Sequence, residues 1–287
     1  MKRKRIITTN YFTSIPQTKG MKASIITGIF CFFTSLGVFA QKVGIQPSIL
    51  EFHVQPGATE SQVITISNHS DKKIGFEAYL ADWLRDSTGA HQYFKPDTLA
   101  RSCASWVKLE KNFIEVEPGK SAGFLVRLQG PADPKAFEQM KWAMLFLQSA
   151  DEQDSADRNN KQFNTQIKEL LRVGIHIYQT PPSVTSMSVK AVTLQPVAGE
   201  KNAWDFYMEN TGALMLQCKA HLELTNIETG KEFKLDRIEF PVFPDGKRKV
   251  RMTIPATVPP GKYSALAILN IGEEAALEAI ERTIEVK

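Results

Sequence analysis

The side chains best suited to chemistry are few and scattered. Five histidines, His53, His69, His91, His176 and His221, lie along the chain, and no two stand at the spacing of a paired metal-ligand motif. There is no strand-to-helix nucleophile elbow, no phosphate-cradling glycine loop and no acid-rich calcium loop. A catalytic triad built from distant residues would leave no such motif, because triads are defined by geometry rather than order. Nothing in the residues points to one. The chain reads as non-enzymatic, with no catalytic residue, no metal, no cofactor and no small-molecule substrate.

One segment stands out as a strand that runs straight into two prolines: "KELLRVGIHIYQTPPSV", residues 168 to 184. Leu171, Val173, Ile175 and Ile177 share one parity, the period of a strand with one buried face. The parity continues backwards through Ile167, Thr165 and Phe163, interrupted only by Glu169. Two readings stay open. In one, the strand extends into the preceding loop, and apolar groups from Phe163 onward project from it. In the other, only Leu171 to Ile177 are strand and all of them are core. Val173 is expected in the core of the free protein either way. The preceding segment, "SADEQDSADRNNKQFNTQ" (149–166), has one aromatic and mixed charge. It buries too little to offset the entropy of ordering, so a long mobile loop is expected. Pro181 and Pro182 then make a short stiff joint, since proline fixes its own backbone and restricts the residue before it.

The elements that must position this strand are also strands. Ala122, Phe124, Val126 and Leu128 alternate with Gly123, Leu125, Arg127 and Gln129; Cys218, Ala220, Leu222 and Leu224 alternate with more polar residues; so do Val250, Met252 and Ile254. Turn signals at Pro56-Gly57, Pro118-Gly119, Pro244-Asp245-Gly246 and Pro260-Gly261 punctuate these runs. The expected fold is all-β, two immunoglobulin-like sandwiches in tandem. "DPKAFEQM" (133–140) has room for one helical turn. A weak internal repeat supports the tandem: apolar strands ending in Asn68 and in Asn210 are each followed by a turn. Tyr263 stands either as the tyrosine corner of such a sandwich or as an ordinary strand tyrosine. "NHS" at Asn68 matches a glycosylation pattern, although a turn accounts for the same residues.

The first forty residues are expected to be a secretory signal peptide. They combine a basic start, an apolar run from Ala23 to Phe39 and the small-residue site Val38-Phe39-Ala40 before Gln41. A membrane anchor is the rival reading, since the run approaches the minimum for a span. Thr27, Gly28, Ser35 and Gly37 interrupt it, so no stable span is expected after cleavage. Six of the 35 Lys and Arg residues and none of the 31 acidic ones precede Gln41, which leaves 29 against 31 beyond it, a net of −2. The basic excess belongs to the leader, and no nucleic-acid partner is expected. The remaining 247 of 287 residues suffice for two cores. The expected domains are 1–40 leader, 41–180 and 181–287. Cys103 and Cys218 fall in different domains and are expected to be buried free thiols.

With these residues in view, the chain resembles the PapD-type periplasmic pilus chaperones. "VGIQPSILEFHVQPGATESQVITISNHSDKKIGFEAYLADW" is similar to the family's first three strands, "WVKLEKNFIEVEPGKSAGFLVRL" to its middle strands, and "KWAMLFLQ" with "LLRVGIHIYQTPP" to the strands flanking its long loop. The resemblance implies two domains that hold a partner's last strand and complete its unfinished sandwich by β-strand addition, with Phe163, Ile167, Leu171, Val173 and Ile175 as the partner-binding strand. It also implies a basic anchoring pair, but the matching positions are Ile49 and either Ile175 or His176. Arg172 and a protonated His176 are the candidate cleft anchors in its place. The sequence thus leads to a periplasmic, chaperone-like binder of an envelope, pilus or surface protein. The alternative is an adhesive or structural module at the cell surface or secreted, with both domains as spacers.

Overall fold

The computed structural model describes residues 42–150, 170–272 and 277–287; the expected leader, the Gln41 start, Phe163 and Ile167 lie outside them. The strands are β1 (Val43–Gln46), β2 (Ile49–Phe52), β3 (Thr59–Asn68), β4 (Ile74–Arg85), β5 (His91–Phe94), β6 (Val107–Leu109), β7 (Phe113–Val116), β8 (Ser121–Gln129), β9 (Lys141–Ala150) and β10 (Arg172–Gln179). One sheet runs β1-β3-β8-β6, and the other β2-β10-β9-β4-β5 with β7 also beside β4. Side-chain alternation drives the packing. Phe124, Val126 and Leu128 of β8 and Ile64 and Ile66 of β3 turn inward against Phe76, Leu145, Ile175 and Ile177, while their neighbours stay wet.

A second sandwich follows: β11 (Val189–Pro196), β12 (Ala203–Asn210), β13 (Leu216–Asn226), β14 (Glu232–Lys234), β15 (Ile238–Val242), β16 (Lys247–Thr253), β17 (Gly261–Asn270) and β18 (Glu278–Val286). Its sheets are β11-β12-β16 and β14-β13-β17-β18, with β15 also on β13. Phe206, Leu222, Leu224, Tyr263 and Ile284 lie in its core. The chain is all-β, two immunoglobulin-like sandwiches in tandem. Among the described residues its short 3-10 turns are Ala104–Trp106 and Pro134–Phe137; in the second, the Asp133 carboxylate accepts from the Lys135 amide. Among the described residues no helix is long and apolar enough to cross a membrane.

Several side chains resolve what the sequence left open. The Tyr263 hydroxyl donates to the Pro259 carbonyl at 2.8 Å, which makes it a tyrosine corner. Asn68 is buried, and its amide nitrogen donates to the carbonyls of Lys72 and Val116 at 2.7 and 2.9 Å. Both amide hydrogens are taken, so Asn68 locks a turn and is closed to glycosylation. Cys103 and Cys218 are buried, unpaired and in separate cores. Burial pushes both thiols up, Cys218 to about 12.

Residues from Lys42 to Lys287 form one compact unit. A third apolar cluster, on the outer face of the β9-β10 sheet, joins the sandwiches: Trp83, Trp142, Met144, Phe146 and Tyr178 from the first meet Phe243 from the second. The Lys249 amide donates to the Ser87 carbonyl at 2.7 Å, and Arg101 pairs with Asp245 at 2.6 Å. The turn between β4 and β5 needs Gly89: its φ is +91°, and a Cβ there would lie 2.1 Å from an Arg248 nitrogen.

Candidate partner-binding site

Strand β10 is paired along its whole length on one side and along only half of it on the other. Antiparallel β9 accompanies it from Arg172 to Gln179, whereas parallel β2 joins only from His176, opposite Ile49, to Gln179, opposite Phe52. The division follows from the chain's entry, because β1 pairs with β3 in the opposite sheet and the chain crosses to β10 only at β2. Gln179 secures the far end. Wholly buried, it accepts from the Val54 amide at 3.1 Å and donates to the Val54 carbonyl at 2.8 Å.

The backbone orientation of the other half follows by alternation. The amides of His176 and Thr180 donate to Ser48 and Phe52, towards β2. Arg172 and Gly174 share that parity, so their amide and carbonyl groups point the same way. No strand meets them there among the described residues. Leu171 is 42% exposed at the start of this edge. Val173 is only half-buried, which corrects the expectation that it is core; the sheets close over the strand from Ile175, which is fully buried with Ile177.

The outward-facing residues of β10 lie under the β4-β5 hairpin, which folds across them. Arg172 is exposed, and its guanidinium sits 4.7 Å above the Phe146 ring and 5.8 Å from that of Tyr93, a cation–π arrangement. His176 meets His91 with their Nε2 atoms 3.2 Å apart. The Trp83 ring packs at 4.8 Å from His176, 4.9 Å from His91 and 5.0 Å from Phe243. Burial above all, then His91 and Arg85, push the His176 imidazole down to about 4; burial and Arg85 lower His91 as well. Both rings are neutral at neutral pH, and one N–H donates to the other nitrogen. A protonated His176 anchor is therefore not available near pH 7, and Arg172 is the cation at this end.

The register places Ile49 directly opposite His176, and neither these two residues nor Ile175 beside them carries a charge near pH 7. Trp83, His91 and Phe243 had no part in the site read from the sequence. The two histidines lie 85 residues apart, and no spacing rule joins them.

No protein-family model matches the chain, and no curated protein matches it either. Among solved structures, it is similar to a chaperone–tip adhesin complex of CFA/I fimbriae biogenesis, with a TM-score of 0.47 and 8% identity over 85% of this chain and 98% of the other. It is also similar to the class 5 fimbriae chaperone CfaA, at 0.44 and 8% over 84% and 98%. A further similar structure is the E. coli chaperone DraB, at 0.43 and 12% over 85% and 95%.

Proposed function

We propose that the chain is an exported, non-enzymatic, chaperone-like protein that binds an envelope, pilus or surface protein by β-strand addition. In this reading residues 41–180 form the binding domain, 181–287 brace it across the Pro181-Pro182 joint, and the protein works in the periplasm. The observation that supports it is the bare half-edge of β10. Two residues, Arg172 and Gly174, offer outward amide and carbonyl groups beside exposed Leu171 and half-buried Val173. An added strand gains affinity from main-chain bonds and selectivity from alternate side chains. Ile175 seats the base of the strand in the core, and Phe163 and Ile167 extend its apolar parity. Arg172 supplies a cation at the rim.

The discriminating variant is Arg172→Pro, with Arg172→Ala as its control. The Arg172 amide faces the open edge, so proline there removes a donor to a partner while leaving the ladder to β9 intact. The crosslinked client recovered by Arg172→Ala should be lost from Arg172→Pro, with melting temperatures alike. Equal recovery by both would rule out addition at this edge.

A further inference from the structure

Two neutral imidazoles meet where the β4-β5 hairpin crosses β10, and the Nε2 atoms of His91 and His176 stand 3.2 Å apart. Two nitrogens bound to one metal ion at about 2.0–2.1 Å, with an angle of roughly 100–120° between the bonds, lie about 3.1–3.6 Å apart. The pair therefore has the bite of a two-imidazole site. A hydrogen bond gives a similar separation but keeps a proton on one nitrogen, and an ion takes that proton's place. The rings are held in position: Trp83 packs 4.8 Å from His176 and 4.9 Å from His91, Tyr93 stacks on His91, and Tyr178 stacks on His176. Both histidines are only partly buried, so solvent reaches the pair. The surroundings select the ion. Among the described residues the histidine that meets a carboxylate is His221, with Glu223 at 3.0 Å, and neither His91 nor His176 does. Arg85 lies near enough to disfavour positive charge on both rings. A hard divalent ion would want oxygen ligands that the pair lacks, and its two charges would double the repulsion from Arg85. Imidazole suits copper, and the cuprous ion carries a single charge and is satisfied by as few as two ligands.

We propose that His91 and His176 bind one cuprous ion through their Nε2 atoms and so fasten the β4-β5 hairpin to β10. Each ring keeps its remaining proton on Nδ1, and the ion stays cuprous, so no electron moves. The site departs from the metal-free reading of the sequence because its ligands are 85 residues apart and meet only in the fold. It lies on the outer face of β10 and stands independently of the open edge.

The test is anaerobic titration of the EDTA-treated protein from residue 41 onward with cuprous ion, in competition with the chromogenic chelator bicinchoninate. The protein should withdraw one equivalent, and its melting temperature should rise, because the ion binds the folded state. Zinc ion should bind at least about tenfold more weakly, since its second charge also faces Arg85. Removal of an outer-shell partner alone costs about 10–100-fold in metal affinity, so His91→Ala and His176→Ala, each deleting a ligand, should cost more than about a hundredfold. His69→Ala, at an exposed histidine outside the pair, should bind like the parent. If the ligand variants fail to fold, modification of the parent by diethylpyrocarbonate decides the matter: cuprous ion should protect His91 and His176 and leave His69 reactive. The proposal is overturned if no equivalent is withdrawn from bicinchoninate, if zinc binds as tightly, if a folded ligand variant binds like the parent, if His69→Ala loses as much as they do, or if the loaded protein is modified at both ligands as readily as the metal-free one.

Discussion

Asn68 and Asn210 occupy equivalent places in the two sandwiches. Each ends a strand, is buried, donates to the carbonyl four residues ahead and to one on a strand of the opposite sheet, and accepts from the amide two residues ahead. The sheet edges are treated differently. On β11 the free amide of Ala191 is met by the Glu278 carboxylate at 3.2 Å and the free carbonyl of Leu194 by Arg282 at 2.6 Å, both from β18. On β10 the corresponding groups of Arg172 and Gly174 meet nothing among the described residues. Among the described residues the same architecture thus carries one edge met by side chains and one met by none. Exposed edges invite pairing with another chain and are commonly blocked. Among the described residues that device is not applied to β10, the edge on which the proposed binding rests.

The sharpest way to break this comparison is to charge the two ends of β10. Ile175→Asp buries a carboxylate with no partner and should unfold the first sandwich outright, whereas Leu171→Asp should leave the melting temperature nearly unchanged. Similar losses from both would mean that the whole strand is core and the open edge is an illusion. A smaller effect tests the equivalence of the two locks. Asn68→Ala and Asn210→Ala each strand two carbonyls, and each should cost about 2–4 kcal/mol in denaturant unfolding. A large disparity would show that the repeat is one of pattern and not of energetics.

The smallest effect concerns the histidine pair, which only the first sandwich possesses. His176 is held near 4 when folded but titrates near its ordinary value of about 6.5 when unfolded. Between these values the unfolded chain binds the proton and the folded chain does not. The contribution is therefore complete above pH 6.5 and is lost progressively as pH falls towards 4. His176→Phe keeps an aromatic ring in the cluster and should reduce the drop in melting temperature between pH 7 and pH 5. An unchanged drop would place the acid sensitivity elsewhere.

Much of the fold was legible because strand period and burial are the same signal. The alternation of Phe124, Val126 and Leu128, or of Cys218 through Leu224, could be satisfied only by one face on a core. The turn chemistry around Tyr263 was specific enough to suggest a corner, though only the hydrogen bond to Pro259 distinguishes it from an ordinary tyrosine. The site was less legible. That β10 has only β9 beside it over Arg172 to Ile175, among the described residues, depends on where a distant strand stops pairing, and no local pattern records it. Val173 has the parity of Ile175 and differs only in lying where the sheets have not yet closed. The His91–His176 contact arises because the β4-β5 hairpin folds over β10, an outcome of tertiary packing.

The buried amide of Gln179 bonds to Val54, 125 residues away, and β10 pairs with both β2 and β9. The first sandwich therefore closes with the last strand it receives. During synthesis Leu50 and Phe52 must wait, without their neighbours Ile175 and Ile177, until nearly the whole domain has emerged, and contacts of such long range are slow to form. An early-stopped chain would be a sheet short of one central member, sticky along a defined seam and prone to accept a strand from elsewhere. Truncation before β10 should thus yield aggregation rather than a smaller stable domain.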